Sequence, residues 1–225
     1  MRIGIFGGSF SPIHNGHLNS LHEVAASESL DKIILVVAAR PPHKSDQILF
    51  SAKDRFNMAK LATANDNLIE VSDLEIKRAG KSYTIDTMSH FVNSSNDQFF
   101  FILGIDTVRE IKSWKDAMKL LTNYNFIVMT RAGIDSSGII EYINVDSFIS
   151  DNSLQKMGSE LGTKSKFQIP CSGEYGGSIK VVNVSRLDIS STAICQKLEK
   201  QESVRYLSPL SVVEYIETKI IKNKN

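Results

Sequence analysis

Two cysteines in 225 residues, no excess of either charge and no long apolar run narrow the field before any motif is read. Cys171 and Cys195 lack a metal-ligand spacing, which argues against a cysteine-based zinc module and fits a reducing, cytoplasmic setting. Twenty-six Lys plus Arg against 25 Asp plus Glu leave a formal charge of +1, so no basic field directs the chain to nucleic acid or to an anionic membrane. The longest apolar runs, residues 33–39 and 99–103, fall far short of a membrane span, and the N-terminus enters a strand pattern with no signal-peptide character. Internal repeats and low-complexity tracts are also missing. What is left is a chain whose partners are small molecules, with 42% hydrophobic residues, enough for one sizeable core.

The first half alternates strand and helix patterns. Continuous apolar runs at residues 2–6, 32–38, 69–74 and 99–103 are separated by helical periodicity at 17–29, 51–64 and 84–92. This pattern predicts an α/β chain with a doubly wound, mostly parallel sheet, helices on both faces, and ligands at the carboxyl ends of the strands. In the second helix Ser51 with Asp54 reads as a capping box, and Phe56, Met58, Ala59, Leu61 and Ala62 read as core. A further strand is expected at 126–129. The pattern then degrades over 134–177, where one helix near 154–161 and a flexible Gly173–Gly177 loop are expected, so this stretch reads as an insertion in a single domain spanning 1–225. A last strand at 180–184, a helix from Ser190 to Lys200 and a closing helix opened by Ser208-Pro209 give a C-terminal helical segment.

Chemistry concentrates where the first strand ends. Gly7-Gly8-Ser9-Phe10-Ser11-Pro12-Ile13-His14-Asn15-Gly16-His17 joins a glycine turn to two histidines at the mouth of a helix predicted to start near His17. Glycines let backbone N–H groups approach a ligand without an intervening Cβ, and a helix N-terminus attracts anions. His14 and His17 can then donate hydrogen bonds to phosphate oxygens. A zinc site is the rival use, but no third ligand clusters with them: His22 reads as helix surface and no cysteine is near in sequence. Ser190-Ser191-Thr192 offers hydroxyls at a second helix mouth. Alone these are ordinary caps; with the histidine turn they suggest a grip on both ends of a polyphosphate.

The glycine turn with His14-Asn15-Gly16-His17, and Ile189-Ser190-Ser191-Thr192-Ala193-Ile194, resemble the nucleotidyltransferase superfamily marked by HxGH and a C-terminal SxTxxR-type motif. Pro41-Pro42-His43-Lys44, Ser82-Tyr83-Thr84-Ile85-Asp86-Thr87, Gly104-Ile105-Asp106-Thr107, Trp114 and Tyr206-Leu207-Ser208-Pro209 resemble bacterial nicotinate-nucleotide adenylyltransferases in particular. The resemblance runs over 1–131 and 181–221. It implies a Rossmann-like fold and transfer of AMP from ATP to nicotinate mononucleotide, with release of pyrophosphate, in NAD synthesis. It further implies His14 and His17 as catalytic residues. Gly7, Gly8, Ser9 and Phe10 would hold the nucleotide, Gly104 and Asp106 the ribose, and Ser190, Ser191 and Thr192 the triphosphate, while Mg2+ arrives on the ATP phosphates. On the acceptor side it implies Lys44 as a phosphate contact and Thr84 and Trp114 as the pyridine-ring site. Arg131 either binds the acceptor phosphate or forms a surface ion pair. The assembly is either a monomer or a homo-oligomer.

Three positions depart from that pattern. Ser11 stands where Asp or Asn is usual before the proline, and a serine still makes a local turn bond. Cys195 stands where the second motif ends in arginine, which removes a cation expected at the ATP phosphates. The 134–177 stretch has no counterpart. These departures leave two alternatives: a related transferase with another acceptor, such as nicotinamide mononucleotide or pantetheine phosphate, and a catalytically weakened nucleotide-binding protein.

Overall fold

Each central strand sends alternate residues to opposite faces of the sheet, and both faces are buried. The computed structural model describes residues 1–40, 50–78, 80–131, 166–170 and 177–222, with side chains at 131, 166–170 and 220–222 left aside. In chain order the elements are β1 (Arg2–Gly8), α1 (Asn15–Glu28), β2 (Lys32–Val37), α2 (Ala52–Ala62), β3 (Ile69–Ser72), α3 (Leu74–Arg78), α4 (Thr84–Ser94), β4 (Gln98–Gly104) and α5 (Ile105–Val108). There follow α6 (Ala117–Asn123), β5 (Asn125–Arg131), β6 (Lys166–Pro170), β7 (Ser178–Val184), α7 (Ser191–Glu199) and α8 (Leu210–Lys222).

The sheet has seven strands in the order β3-β2-β1-β4-β5-β7-β6. All neighbours pair in parallel except β6, which runs antiparallel to β7 at the edge. On β4, Phe99, Phe101 and Leu103 face one side, against Ile85 and Met88 of α4 and Leu120 of α6. Phe100 and Ile102 face the other, against Leu21 and Val24 of α1, Met58 of α2 and Val212 and Ile216 of α8. A strand buried on both faces has no polar phase, which is why these strands read as continuous apolar runs. The doubly wound, Rossmann-like expectation is met.

Strand order reverses between β1 and β4, because the chain winds outward to β2 and β3 and then crosses to the other side of β1. The crevice at such a switch point lies outside the carboxyl ends of the strands, and that is where the motifs fall.

Several boundaries differ from the sequence reading. β1 continues through Gly7 and Gly8, paired with Val36 and Val37, so the glycines end the strand and the turn proper falls at Ser9 and Phe10. β3 stops at Ser72, whose hydroxyl accepts from Leu74 N at 3.2 Å and starts α3. The short α3, α5, α6 and the 3-10 turn Ile111–Ser113 span at most seven residues each, too few for a periodicity to stand out. The expected insertion at 134–177 supplies β6 to the sheet. Its expected helix at 154–161 and loop at 173–176 lie outside the described residues, as do Lys44 and its loop.

The second helix is tied down differently from a simple capping box. Asp54 N donates to Ser51 Oγ at 3.1 Å, but the Asp54 carboxylate accepts from Ser51 Oγ and, at 2.7 Å each, from Tyr215 Oη and Lys219 Nζ of α8. Burial would raise the Asp54 carboxyl, yet Lys219, Ser51 and Tyr215 outweigh it and hold it down at about 2. Met58 and Ala59 are buried as expected and Phe56 and Ala62 partly so, whereas Leu61 is 40% exposed, at the outer edge of the stripe.

Candidate active site

A cavity of about 650 Å³ opens over the carboxyl ends of β1, β4, β5 and β7, within the size range of small-molecule sites. It gathers Gly7, Gly8, Ser9, Phe10, His14 and His17 from the first motif, Thr84 from α4, Gly104 and Asp106 at the start of α5, Trp114, and Ser190, Ser191 and Thr192 at the mouth of α7. Residues separated by up to 185 positions in sequence thus line one cavity. Arg131 ends β5 opposite Val184, in the outermost register pair of that ladder.

The histidine turn is assembled by its own side chains. His14 is the N-cap of α1, and its Nδ1 accepts from His17 N at 3.3 Å, while His17 Nδ1 accepts from His14 N at 3.3 Å. The result is a reciprocal capping box built from two imidazoles, with ring centroids 3.6 Å apart and planes at 22°. This is why α1 begins at Asn15 and not at His17. Gly16 permits it: a Cβ there would lie 3.1 Å from His14 Nδ1 and 3.2 Å from Cε1. His14 is only 5% exposed, and that burial pushes its pKa down to about 4. Phe10, in the left-handed region at φ 47°, folds its ring back over Gly8, where a Cβ would meet it at 2.8 Å, and packs it T-shaped with the His17 ring.

The amides at this helix mouth are partly spoken for. Asn15 N donates to Leu207 O at 2.9 Å and His17 N to the His14 ring, so the ring nitrogens carry more of the mouth's capacity than the sequence suggested. The C-terminal segment fixes the turn from outside: Ser208 Oγ donates to Ile13 O and Asn15 Nδ2 to Tyr206 O. Ser191 Oγ and Cys195 Sγ donate to Pro12 O and Ser11 O, at 2.9 and 3.3 Å. Two of the sequence departures therefore touch each other. Burial, then Glu199, pushes the Cys195 thiol up, so it is a neutral donor there. Ser191 spends its hydroxyl on the turn, and Ser190 caps α7 by accepting from Ala193 N at 3.1 Å; Thr192 is exposed.

Arg55 escaped the sequence reading. It is 1% exposed, and its guanidinium donates to four carbonyls: Ser9 and Ala38 at 2.7 Å, Ala39 and Phe50 at 3.2 Å. It fastens the turn after β1 to the end of β2 and to the start of α2. A signal was present, since 55, 58, 59 and 62 form one helical stripe and a charge within it is an anomaly.

On the opposite wall α4 begins at Thr84 with Tyr83 as N-cap, and Tyr83 makes no side-chain cap hydrogen bond. Trp114 is half-buried with its ring edge-to-face to Phe101 at 6.0 Å. Lys115 pairs with Asp86 at 3.0 Å and lies 4.9 Å over the Tyr83 ring. Among the described residues, the charged side chains lining the cavity are Glu75, Asp106, Glu110 and Lys115. The described residues contain no cluster of three or more His, Cys, Asp or Glu able to hold a metal. None of their helices is long and apolar enough to cross a membrane.

The cytidylyltransferase-like family model matches residues 5–197. The protein named "Probable nicotinate-nucleotide adenylyltransferase" of Thermoanaerobacter sp. (strain X514) is 37% identical over 219 residues, 96% of this chain and 92% of its own. Its namesake from Moorella thermoacetica is 36% identical over 220 residues, covering 97% and 90%. Among solved structures, Plasmodium falciparum nicotinic acid mononucleotide adenylyltransferase complexed with NaAD superposes with a TM-score of 0.71 at 21% identity, over 100% of this chain and 98% of that one. That likeness concerns the fold.

Proposed function

We infer the reaction from one premise: the chain belongs to the cytidylyltransferase-like family and, within it, to the nicotinate-nucleotide adenylyltransferases. It transfers AMP from ATP to nicotinate mononucleotide, giving nicotinate adenine dinucleotide and pyrophosphate, a step of NAD biosynthesis. A phosphate oxygen of the acceptor attacks the α-phosphorus in line; the new P–O bond forms as the bond to pyrophosphate breaks. No covalent enzyme intermediate is needed, so catalysis rests on positioning and on stabilising charge as pyrophosphate leaves.

The observation that carries the residue assignment is that one cavity joins the histidine-capped mouth of α1 to the mouth of α4 that lacks a side-chain cap. His14 and His17 serve the reacting phosphates. Gly7 to Phe10 line the nucleotide, and Gly104 and Asp106 receive the ribose, Asp106 accepting from a hydroxyl. Ser190 to Thr192 offer the mouth of α7 to the triphosphate tail. Across the cavity, Thr84 and its helix mouth suit the carboxylate of nicotinate, since an anion is favoured there over a neutral amide, and Trp114 offers an indole face to the ring. Lys44 and Arg131 are proposed for the acceptor phosphate. ATP is a substrate, and Mg2+ would arrive as its counterion, held largely by phosphate oxygens and water, and would neutralise part of the phosphate charge. We further propose a cytoplasmic, single-domain protein with an insertion at 134–177, of which Lys166–Pro170 adds the edge strand β6.

A steady-state assay with ATP, Mg2+ and each pyridine mononucleotide, following pyrophosphate, tests this reading. Nicotinate mononucleotide should be preferred by kcat/KM. Equal or better use of nicotinamide mononucleotide would overturn the acceptor assignment, and nucleotide binding without pyrophosphate release would overturn the reaction.

A further inference from the structure

We propose that His14 and His17 are held as neutral Nε2–H tautomers by their reciprocal capping bonds, and therefore meet phosphate as hydrogen-bond donors and not as cations. A backbone N–H only donates, so the ring nitrogen it reaches must present a lone pair. His17 N reaches His14 Nδ1 and His14 N reaches His17 Nδ1, each at 3.3 Å. Both Nδ1 atoms are thus acceptors, and in a neutral imidazole the hydrogen then sits on Nε2. Protonating either ring would place a hydrogen on Nδ1 and break the cap that starts α1.

Three surrounding features agree with neutrality. The rings are stacked at 3.6 Å, where two imidazolium charges would repel. His14 lies 95% buried, where a charge is penalised, and Phe6 and Phe10 pack their rings against that of His17. The acids on the same cavity wall, Glu75 on α3, Asp106 on α5 and Glu110 beyond it, with Lys115 as the base, make no hydrogen bond to His14. The neutral state also has a purpose. A donor that gains no proton when phosphate binds needs no charge rearrangement as pyrophosphate forms, so the field at the reacting phosphorus is set before substrate arrives.

The inference rests on the proposed phosphate role of the pair, but its test reads ring protonation and not turnover. The full chain labelled with 15N-histidine is studied by long-range 1H–15N correlation at pH 7, alone and with ATP, the His14→Asn and His17→Asn variants assigning the signals. Both residues should show a protonated Nε2 and an unprotonated Nδ1, and ATP should leave that pattern in place. A hydrogen on Nδ1 of either ring, free or with ATP, would overturn the lock. In thermal unfolding, His14→Asn, whose Oδ1 replaces the accepting nitrogen, should hold its midpoint above that of His14→Gln, which loses the cap; the reverse order would also overturn it. If the acceptor assay fails while these signatures appear, the reaction is wrong and the tautomers stand.

Discussion

Replacing Gly16 by alanine separates catalysis from stability in this fold. Gly16 is the second residue of α1, where alanine is intrinsically favoured over glycine by up to about 1 kcal/mol. The added Cβ would lie 3.6 Å from Ile189 Cβ, an ordinary contact, but 3.1 Å from His14 Nδ1. The ring must therefore retreat by a few tenths of an ångström, and the 3.3 Å bond that seats it lengthens. The propensity gain and the weakened cap nearly offset, so unfolding free energy should stay within about 1 kcal/mol of the parent, a Tm change of roughly 2–4 °C at most. With His14 in its proposed role at the reacting phosphates, a small displacement is costlier, since misplacement on the ångström scale costs about a hundredfold; kcat/KM should fall about 10- to 100-fold, about 1.4 to 2.7 kcal/mol of transition-state stabilisation. Pyrophosphate release and thermal unfolding on the same preparation read both quantities. Parental kcat/KM in Gly16→Ala, or a collapse of Tm with undiminished activity per folded molecule, would refute the reasoning.

Arg55→Met leaves four carbonyls without their donor, and urea unfolding should show a loss of about 3–5 kcal/mol, with Arg55→Lys recovering part of it; a loss below about 1 kcal/mol would mean that the turn does not depend on this cation. Ser208→Ala orphans the buried Ile13 carbonyl, so stability should drop by about 1–2 kcal/mol and kcat should fall with it; an unchanged kcat would show that the turn keeps its shape unaided. The His14 pair of states makes stability pH-dependent. Above the unfolded pKa of about 6.5 both states are neutral and nothing is at stake; as pH falls toward about 4 the unfolded chain takes a proton that the folded one refuses, costing up to about 3 kcal/mol. Urea titrations of the parent and His14→Asn between pH 4 and 7 should diverge by that order, and parallel curves would contradict a buried, neutral His14.

The sheet was legible because strands such as β4, buried on both faces, have no polar phase to confuse with a helix, and because α1 and α8 carry clean apolar stripes. The histidine turn and the mouth of α7 were legible as residue types at a spacing, and the cavity does unite them with Thr84, Asp106 and Trp114. What escaped was whatever depends on where a carbonyl ends up. Arg55 drew no reading because its four acceptors, at positions 9, 38, 39 and 50, are backbone carbonyls that carry no side-chain signature. The bond from Ser191 Oγ to Pro12 O, which ties the mouth of α7 to the turn, was equally invisible. The start of α1 was placed late because histidine is not a customary cap, and only the reciprocal geometry reveals it as one.

The attachment of residues 11–15 to Ser191, Cys195 and the stretch 206–208 also sets an order of events at the ribosome. The first strand and the histidines emerge early, yet four of the bonds that shape their turn come from the last quarter of the chain. A nascent chain stalled before residue 191 would own both histidines and the ladders among β1 to β5 without a finished turn. Activity should therefore switch on late and all at once, so that a partly made enzyme consumes no ATP.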